Sequence, residues 1–287
     1  MASLVYHSGA LGDFITTLPA VEVWKREHPG EPLVLLGRPA HGALVPHLFR
    51  ETWDAGSVRF AGLFSRLGGA AAARELLAGI TSALVFAREA SPLFSALRGC
   101  GLAELVRQDP FPDLEVHVVD YHLQLFGDRV RPSDRTPRIT APSAPATDLA
   151  AIHPGSGSAR KNWPRDRFEE LASALSSRGQ RVAWITGPAD DPRPPRGAAE
   201  SWSNLPLPDL AARLSACRLF VGNDSGVSHL AAAVGCPAMA LFGASSERVW
   251  SPRGPRVTVV RASTGRLEDI SLREVTARVL DFLGWGR

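Results

Sequence analysis

The stretch LFVGNDSGVSHLAAAVGCPAMALF, residues 219–242, predicts a strand, a polar turn, a helix and a second strand in that order. Leu219–Val221 is a short apolar run of the kind that forms buried strands, and the GNDSG sequence at 222–226 cannot continue it. Residues 227–234 are rich in Ala and Leu, which favours a buried helix, and Gly235 is expected to end it. This order is typical of an α/β fold with parallel strands.

The turn at residues 222–226 predicts an anion site. Asp224 or Ser225 can cap the helix, and the free N–H groups at a helix start suit a phosphate, as does the positive end of the helix dipole. His229 lies at i+3 from Gly226 and i+4 from Ser225, so its ring is expected to face the same ligand. The alternative is an ordinary α/β turn, in which the polar residues only cap the helix and the histidine only packs.

Composition indicates a globular chain and excludes several classes of protein. The chain is 45% hydrophobic and 21% charged, as is usual for globular proteins. Its 287 residues are long enough for two domains, each with its own core. The net charge of +3 slightly favours anionic partners, but basic and acidic residues are interspersed, so nucleic acid is not an expected partner. No apolar run approaches the ~18 residues of a membrane span, and no signal peptide is recognisable at the start.

Cysteine and histidine spacing argues against a disulfide framework and against a metal site. Cys100, Cys217 and Cys236 lie far apart without a CxxC pair, which predicts reduced thiols in a cytosolic protein. The eight histidines are scattered and form no HExxH pattern, so no metal is expected.

Alternating strand and helix patterns predict two α/β domains. A Pro-rich connector, RPSDRTPRITAPSAPAT at 131–147, places the boundary near residue 145 and gives domains 1–145 and 146–287. The predicted strands are 4–7, 33–36, 83–86, 150–153 and 182–186 besides those of the opening stretch, and the predicted helices include 70–78, 93–97, 168–178, 210–214 and 271–283. Two such domains are expected to bind ligands in a cleft between the carboxyl ends of their sheets.

A second turn, GALGDFITTLPA at 9–20, follows the first strand. Gly9 and Gly12 would let a substrate approach the backbone, and Asp13 stands at the mouth of the first helix. The alternative for Asp13 is a helix cap. The turn lacks the middle glycine of GxGxxG, which disfavours a nicotinamide-dependent oxidoreductase.

A third turn, HPGSGSARKNWP at 153–164, follows another predicted strand. Its Gly and Ser residues can wrap phosphate oxygens with backbone N–H groups, and Lys161 can add a positive charge. The alternative is an exposed loop with a solvated lysine.

The three turns, in this order, resemble glycosyltransferase family 9, the heptosyltransferase family of the lipopolysaccharide inner core. The resemblance implies an α/β fold of GT-B architecture, in which two Rossmann-like domains face each other across a cleft. It also implies that domain 1–145 binds the acceptor and that domain 146–287 binds the nucleotide sugar, whereas docking of the terminal helix on the N-terminal domain is left open.

The resemblance further implies an inverting, metal-independent bacterial transferase that moves heptose or a related sugar from an ADP-sugar to a lipopolysaccharide-core or other saccharide or glycolipid acceptor. The family's general base falls on Asp13, which faces the acceptor-side turn of Gly9 and Gly12. No cofactor beyond the nucleotide sugar is implied, and the location is cytoplasmic, with peripheral contact at the inner membrane as an option. The donor-binding positions are Ser156, Gly157, Lys161, Asp224, Ser225, Gly226 and His229, with Lys161 also counted as catalytic.

The residue chemistry agrees with this assignment. Inverting sugar transfer needs a carboxylate that takes the proton of the acceptor hydroxyl, as Asp13 can, and a positive group such as Lys161 to stabilise the leaving diphosphate. The resemblance also implies an acidic contact to the donor ribose near Asp190 or Asp191, in a Pro-rich loop where a longer helix would be expected. This departure and the short N-terminal half keep a second hypothesis open, a non-catalytic sugar-nucleotide-binding relative.

Overall fold

The computed structural model describes residues 1–65, 70–112, 115–142, 144–188 and 190–285, so Ser143 of the connector and Ala189 of the Pro-rich loop lie outside the described residues. The chain divides into two compact units, unit 1 of Met1–Arg135 and unit 2 of Thr136–Arg287. This division falls before residue 145 because Ile139 donates its N–H to the carbonyl of Ala233 and Thr147 donates to that of Ala216, which holds the connector on unit 2. The roles assigned to the two domains stay predictions.

Within the described residues, unit 1 holds a five-stranded parallel sheet in the order β3-β2-β1-β4-β5. Its strands are β1 (Ala2–His7), β2 (Leu33–Gly37), β3 (Phe49–Asp54), β4 (Ile80–Phe86) and β5 (Glu104–Gln108). Its helices are α1 (Leu11–Glu27), α2 (Pro39–Gly42), α3 (Ala70–Leu76), α4 (Pro92–Arg98) and α5 (Val118–Leu123). The three predicted strands of this half form the centre of the sheet.

Unit 2 holds a six-stranded parallel sheet in the order β11-β10-β9-β6-β7-β8, again within the described residues. Its strands are β6 (Ala150–His153), β7 (Val182–Thr186), β8 (Glu200–Ser203), β9 (Leu219–Asn223), β10 (Ala238–Phe242) and β11 (Val257–Arg261). Its helices are α6 (Arg165–Ser176), α7 (Leu207–Ala216), α8 (Gly226–Ala233), α9 (Glu247–Trp250) and α10 (Leu272–Phe282). The opening stretch is confirmed as β9, turn, α8 and β10, and Gly235 ends α8 with a φ of +83°.

The terminal helix α10 packs inside unit 2. Val275 and Val279 are fully buried in the core of this unit, together with Phe168 and Leu171 of α6. Docking of α10 on the N-terminal domain stays a prediction. No helix in the described ranges combines the length and the apolar character that crossing a membrane requires.

The strand orders place the three sequence turns at the ligand end of each sheet. In unit 1 the chain order reverses between β1 and β4, and in unit 2 it reverses between β6 and β9. Open α/β sheets bind ligands outside the carboxyl ends of the strands at such reversal points. The turn with Asp13 follows β1, the loop with Lys161 follows β6, and the turn with Asp224 follows β9. The topology therefore marks the same turns that the sequence indicates.

Three histidines lie in the interior of unit 1. His7, His41 and His122 are each at most 4% exposed, and their Nδ1 atoms have no hydrogen-bond partner among the described residues. The ring of Phe14 stacks on His41, and Phe86 meets His122 edge-on. Burial lowers the pKa of His7 and His122 to about 3 and that of His41 to about 4. All three rings are therefore neutral near pH 7.

These depressed pKa values predict that acid destabilises unit 1. In the unfolded chain these histidines take up protons below about pH 6.5, whereas in the folded protein they stay neutral down to about pH 3 to 4. Stability is therefore fully present above about pH 6.5 and falls as the pH drops toward the folded pKa values, by roughly 1 kcal/mol per pH unit for each histidine. Urea unfolding at about pH 7.5 and about pH 5 measures the loss.

His122→Phe should flatten this dependence, because phenylalanine keeps the contact with Phe86 and cannot take up a proton in either state. A variant whose stability falls between these two pH values as steeply as that of the wild type would contradict the assignment for His122.

Candidate functional site

Asn223 ties together the two polar loops of unit 2. This side chain is fully buried at the end of β9; its Oδ1 accepts from the N–H of Trp163 at 2.9 Å, and its Nδ2 donates to the carbonyl of Pro154 at 2.7 Å. Both partners belong to the loop between β6 and α6, and they flank Lys161 on either side in sequence. The loop is therefore held against the turn that precedes α8.

Lys161 and Asp224 form an ion pair across this junction. The ammonium of Lys161 donates to Oδ2 of Asp224 at 2.7 Å, and the hydroxyl of Ser245 donates to the same oxygen at 2.5 Å. The lysine side chain is 43% exposed and the aspartate side chain only 7%. Because an ammonium has three donors, the pair leaves the lysine able to contact an anion.

Ser225 rather than Asp224 caps α8. Its Oγ accepts from the N–H of Ser228, and the hydroxyl of Ser228 donates to the carbonyl of Asn223. The helix begins at Gly226, and His229 lies inside it with 6% exposure. The two candidate caps therefore have different roles: Asp224 pairs with Lys161, and Ser225 caps the helix.

The loop after β6 holds Ser156 and Gly157, two of the predicted phosphate-binding residues. Ser156 folds its hydroxyl onto its own loop, where it donates to the carbonyl of Ser158 at 2.8 Å. A Cβ added at Gly157 would meet no heavy atom within 4 Å. The structure thus gathers the loop of Ser156, Gly157 and Lys161, held by Asn223, beside the start of α8, where Asp224, Ser225 and Gly226 lie.

The two candidates for a ribose contact have different surroundings. Asp190 accepts from the N–H of Gly187 at 2.7 Å, and its Oδ2 lies 3.3 Å from Nε2 of His153. Burial alone would raise the pKa of Asp190, but the contacts to His153 and Gly187 hold it below its ordinary value. The carboxylate also lies so close to Gly155 that any Cβ there would overlap it. Asp190 thus joins the ends of β6 and β7.

Asp191 is bound to its neighbour instead. The guanidinium of Arg193 donates to it at 2.6 Å and holds the pKa of this carboxyl below its ordinary range. Which of the two contacts a ribose stays a prediction.

An apolar cavity of about 270 Å³ opens beside these loops at the carboxyl ends of β6, β7 and β8. Its walls include Ile185, Trp202, Leu205, Leu210 and Val227, with His153 and Asn204 among the polar lining residues. Sequence reasoning missed this cavity because Trp202 lies on β8, a strand that was not predicted. It also missed Ser245, although this serine follows β10 as the other site residues follow their strands.

In unit 1, the turn after β1 forms a second cavity of about 270 Å³. Helix α1 begins at Leu11, so Asp13 is not the N-cap; it lies in the first turn and its Oδ2 accepts from the N–H of Ala10 at 3.3 Å. Gly12 lies in the same helical turn. The cavity is lined by His7, Gly9, Asp13, Arg88, Ser91 and Phe111, among others.

Gly9 is closely packed against His7 and Asp13. A Cβ there would lie 3.0 Å from Cε1 of His7 and 3.2 Å from Oδ2 of Asp13. These separations are tighter than most Cβ contacts, so a side chain at this position would require the histidine ring or the carboxylate to shift by a few tenths of an ångström. Asp13 belongs to unit 1 and Lys161 to unit 2. In neither unit do the described residues include a group of three or more His, Cys, Asp or Glu that could hold a metal ion.

Residues 114–276 match a family model described as glycosyltransferase family 9 (heptosyltransferase). The match covers more than half of the chain. The chain belongs to glycosyltransferase family 9. The predicted membership is therefore confirmed, and it rests on a region that contains the whole of the candidate site in unit 2.

Curated relatives in the family are similar over a shorter stretch. Lipopolysaccharide heptosyltransferase 3 of Escherichia coli K12 is 34% identical over 111 residues, which cover 35% of this chain and 32% of the relative. Lipooligosaccharide heptosyltransferase 2 of Haemophilus influenzae is 31% identical over 118 residues, or 37% of this chain and 34% of the relative. The matched region thus spans about a third of these relatives' length.

Solved structures share the fold over nearly the whole chain. E. coli ADP-heptose lps heptosyltransferase II superposes with a TM-score of 0.76 at 20% identity and covers 99% of this chain and 98% of its own. E. coli heptosyltransferase WaaC with ADP has a TM-score of 0.71 at 18% identity, covering 98% and 100%. The iron-containing dodecameric glycosyltransferase TibC of enterotoxigenic E. coli has a TM-score of 0.58 at 18% identity, covering 90% and 63%. The predicted α/β fold of GT-B type is confirmed.

The hydrogen bonds of Asn223 predict a large loss of stability in Asn223→Ala. The substitution leaves the N–H of Trp163 and the carbonyl of Pro154 without their buried partner. We expect the free energy of unfolding to fall by about 2 to 4 kcal/mol in urea titrations. Ser201→Ala, on the exposed face of edge strand β8, is the control and should change it by less than about 0.5 kcal/mol. Equal stability of the two variants would contradict the role given to Asn223.

Proposed function

We propose that this family 9 chain is an inverting glycosyltransferase that moves heptose or a related sugar from an ADP-sugar to a saccharide acceptor of the lipopolysaccharide-core type. The observation that carries the proposal is the junction in unit 2, where Asn223 holds the loop of Lys161 against the start of α8. A lysine and a row of backbone N–H groups at a reversal point of the sheet suit a diphosphate.

The parts of a nucleotide sugar match the parts of this site. The apolar cavity beside β8, with Trp202 in its wall, has the size and character for a nucleobase. The loop of Ser156 and Gly157 and the ammonium of Lys161 would contact the diphosphate, together with the N–H groups at Gly226. Solved structures with this fold include one described with ADP, which supports an adenine nucleotide as the donor.

Asp13 is the proposed general base. In an inverting transfer the hydroxyl oxygen of the acceptor attacks the anomeric carbon while the bond from that carbon to the diphosphate breaks. The hydroxyl proton passes to the carboxylate of Asp13, and the ADP leaves with its added negative charge stabilised by Lys161. No step in this scheme requires a metal ion, because the lysine and the start of α8 supply positive charge to the leaving group.

The alternative, a non-catalytic sugar-nucleotide-binding protein without an acceptor site, is not supported by any observation. Asp13 lines a cavity at the ligand end of its sheet, as a base for an incoming hydroxyl should. The acceptor itself, and peripheral contact with the cytoplasmic face of the inner membrane, stay expectations drawn from the family.

Lys161→Ala should weaken ADP binding by about tenfold to a hundredfold in calorimetric titrations. The variant loses a charged donor to the diphosphate and leaves the Asp224 carboxylate uncompensated beside it. Adding Asp224→Asn should recover part of the loss. Arg160→Ala is the matched control, because this neighbouring cation is exposed in the same loop and should change the affinity less than about twofold. Undiminished binding by Lys161→Ala would show that the lysine is only solvated.

Asp13→Asn should lower turnover by about 10² to 10⁴ without changing ADP affinity, because the amide cannot accept the proton. The rate of ADP release in the presence of acceptor measures the loss, and NMR of the product reports the anomeric configuration. Asp54→Asn is the control, since this carboxylate also ends a strand of unit 1 but does not line the cavity of Asp13. Transfer by Asp13→Asn at nearly the wild-type rate, or retention of configuration, would rule out the assignment.

A further inference from the structure

His7 stands between the aromatic interior of unit 1 and the cavity that holds Asp13. It is the last residue of β1 and is 2% exposed. Its ring packs near Phe14 and Phe86, with centroid distances of 5.5 Å and 6.3 Å. The edge formed by Cε1 and Nε2 faces Gly9, and His7 and Gly9 both line the cavity. One side of this ring therefore packs against aromatic side chains, and the other side faces the gap at Gly9 beside the cavity of Asp13.

The surroundings of the two ring nitrogens decide where the proton lies. Burial, the nearby His41 and His122, and Arg38 lower the pKa of His7 to about 3, so the ring is neutral and carries one N–H. A proton on Nδ1 would be a buried donor without an acceptor among the described residues. It would also turn the lone pair of Nε2 toward the carboxylate side of the cavity. A proton on Nε2 avoids both costs.

His7 shares an unpaired Nδ1 with His41 and His122, but of these three histidines only His7 lines the cavity of Asp13. Phenylalanine fills a similar volume among aromatic rings and carries no polar atom into the interior, whereas histidine leaves Nδ1 unpaired. A buried polar side chain that leaves one nitrogen unpaired is retained at a cost in stability. Nε2, which faces the gap at Gly9, can offset this loss of stability only by a hydrogen bond to a group in the cavity.

The gap at Gly9 connects the two groups. The site of the missing Cβ is 3.2 Å from Nε2 of His7 and 3.2 Å from Oδ2 of Asp13. Nε2 of His7 and Oδ2 of Asp13 therefore border the same gap at Gly9, and all three residues line the cavity.

We propose that Nε2–H of His7 donates to the oxygen of the acceptor hydroxyl and holds that oxygen beside the carboxylate of Asp13. This proposal rests on the proposed function. During transfer the O–H bond of the acceptor breaks, its proton moves to Asp13, and the oxygen bonds to the anomeric carbon as the bond to the diphosphate breaks. His7 keeps its own proton throughout, so it is a donor that positions the nucleophile and not a second base.

Three substitutions of His7 test the donor. His7→Gln places an amide N–H near the position of Nε2, His7→Asn ends near Nδ1, and His7→Phe keeps a ring without nitrogen. We expect His7→Phe and His7→Asn to lower kcat by about tenfold to a hundredfold and to raise the acceptor KM. His7→Gln should stay within about fivefold of the wild type. ADP affinity should not change in any of the three.

His41→Phe is the matched control, because His41 belongs to the same buried cluster but does not line the cavity of Asp13. It should leave transfer within about twofold of the wild type. Melting temperatures of all variants separate loss of folding from loss of the donor. A His7→Phe variant that folds and keeps the wild-type kcat and acceptor KM would overturn the proposal and leave the proposed function intact.

A second measurement does not depend on activity. The ¹⁵N shifts of the His7 ring report which nitrogen carries the proton, and we expect Nε2–H from about pH 5 to about pH 8. A proton on Nδ1 would overturn the proposal whether or not the protein transfers sugar. Absence of any sugar transfer by the wild type would count against the proposed function, while the ring shifts would still decide the state of His7.

Discussion

The two hydrogen bonds of the Asn223 side chain hold the candidate donor site of unit 2 together. One end of this buried amide accepts from Trp163 and the other donates to Pro154, so a single residue at the end of β9 fixes the loop that follows β6. That constraint brings Lys161 within 2.7 Å of Asp224 and places the loop beside the first N–H groups of α8. An aspartate at position 223 would lack the donor and a leucine would lack both groups, so the site requires this amide.

In unit 1 a buried side chain at the end of a strand, His7, also lies beside the candidate site residue. The candidate base, Asp13, lies in the first turn of α1, and the absence of a side chain at Gly9 leaves room between this carboxylate and the ring of His7. The ring is kept neutral by burial and by the histidines behind it, which prevents it from forming an ion pair with the carboxylate. In each unit a buried polar side chain, His7 or Asn223, ends a strand at the ligand end of the sheet.

The sequence predicts the centre of each sheet and misses the edges. Central strands such as β1, β9 and β10 are almost continuously buried, so they appear as apolar runs, whereas β3, β5 and β8 are partly exposed edge strands with charged or polar residues. The three turns after β1, β6 and β9 could be predicted because Gly, Ser and Asp directly after an apolar run indicate the end of a buried strand. Asp13 was expected at the helix mouth as base or cap, and the structure places it in the first turn, where its carboxylate accepts from the N–H of the N-cap residue Ala10. The cavity with Trp202 could not be predicted, because it depends on how an unpredicted edge strand packs.

The central claim is that the junction held by Asn223 binds the diphosphate of a nucleotide sugar. A crystal structure of the protein with ADP tests this claim most directly. The account predicts the β-phosphate within hydrogen-bond distance of the ammonium of Lys161 and of a backbone N–H at the start of α8, with the adenine in the cavity beside Trp202. Ordered ADP bound elsewhere, with the Lys161–Asp224 pair unchanged and that cavity empty, would contradict it.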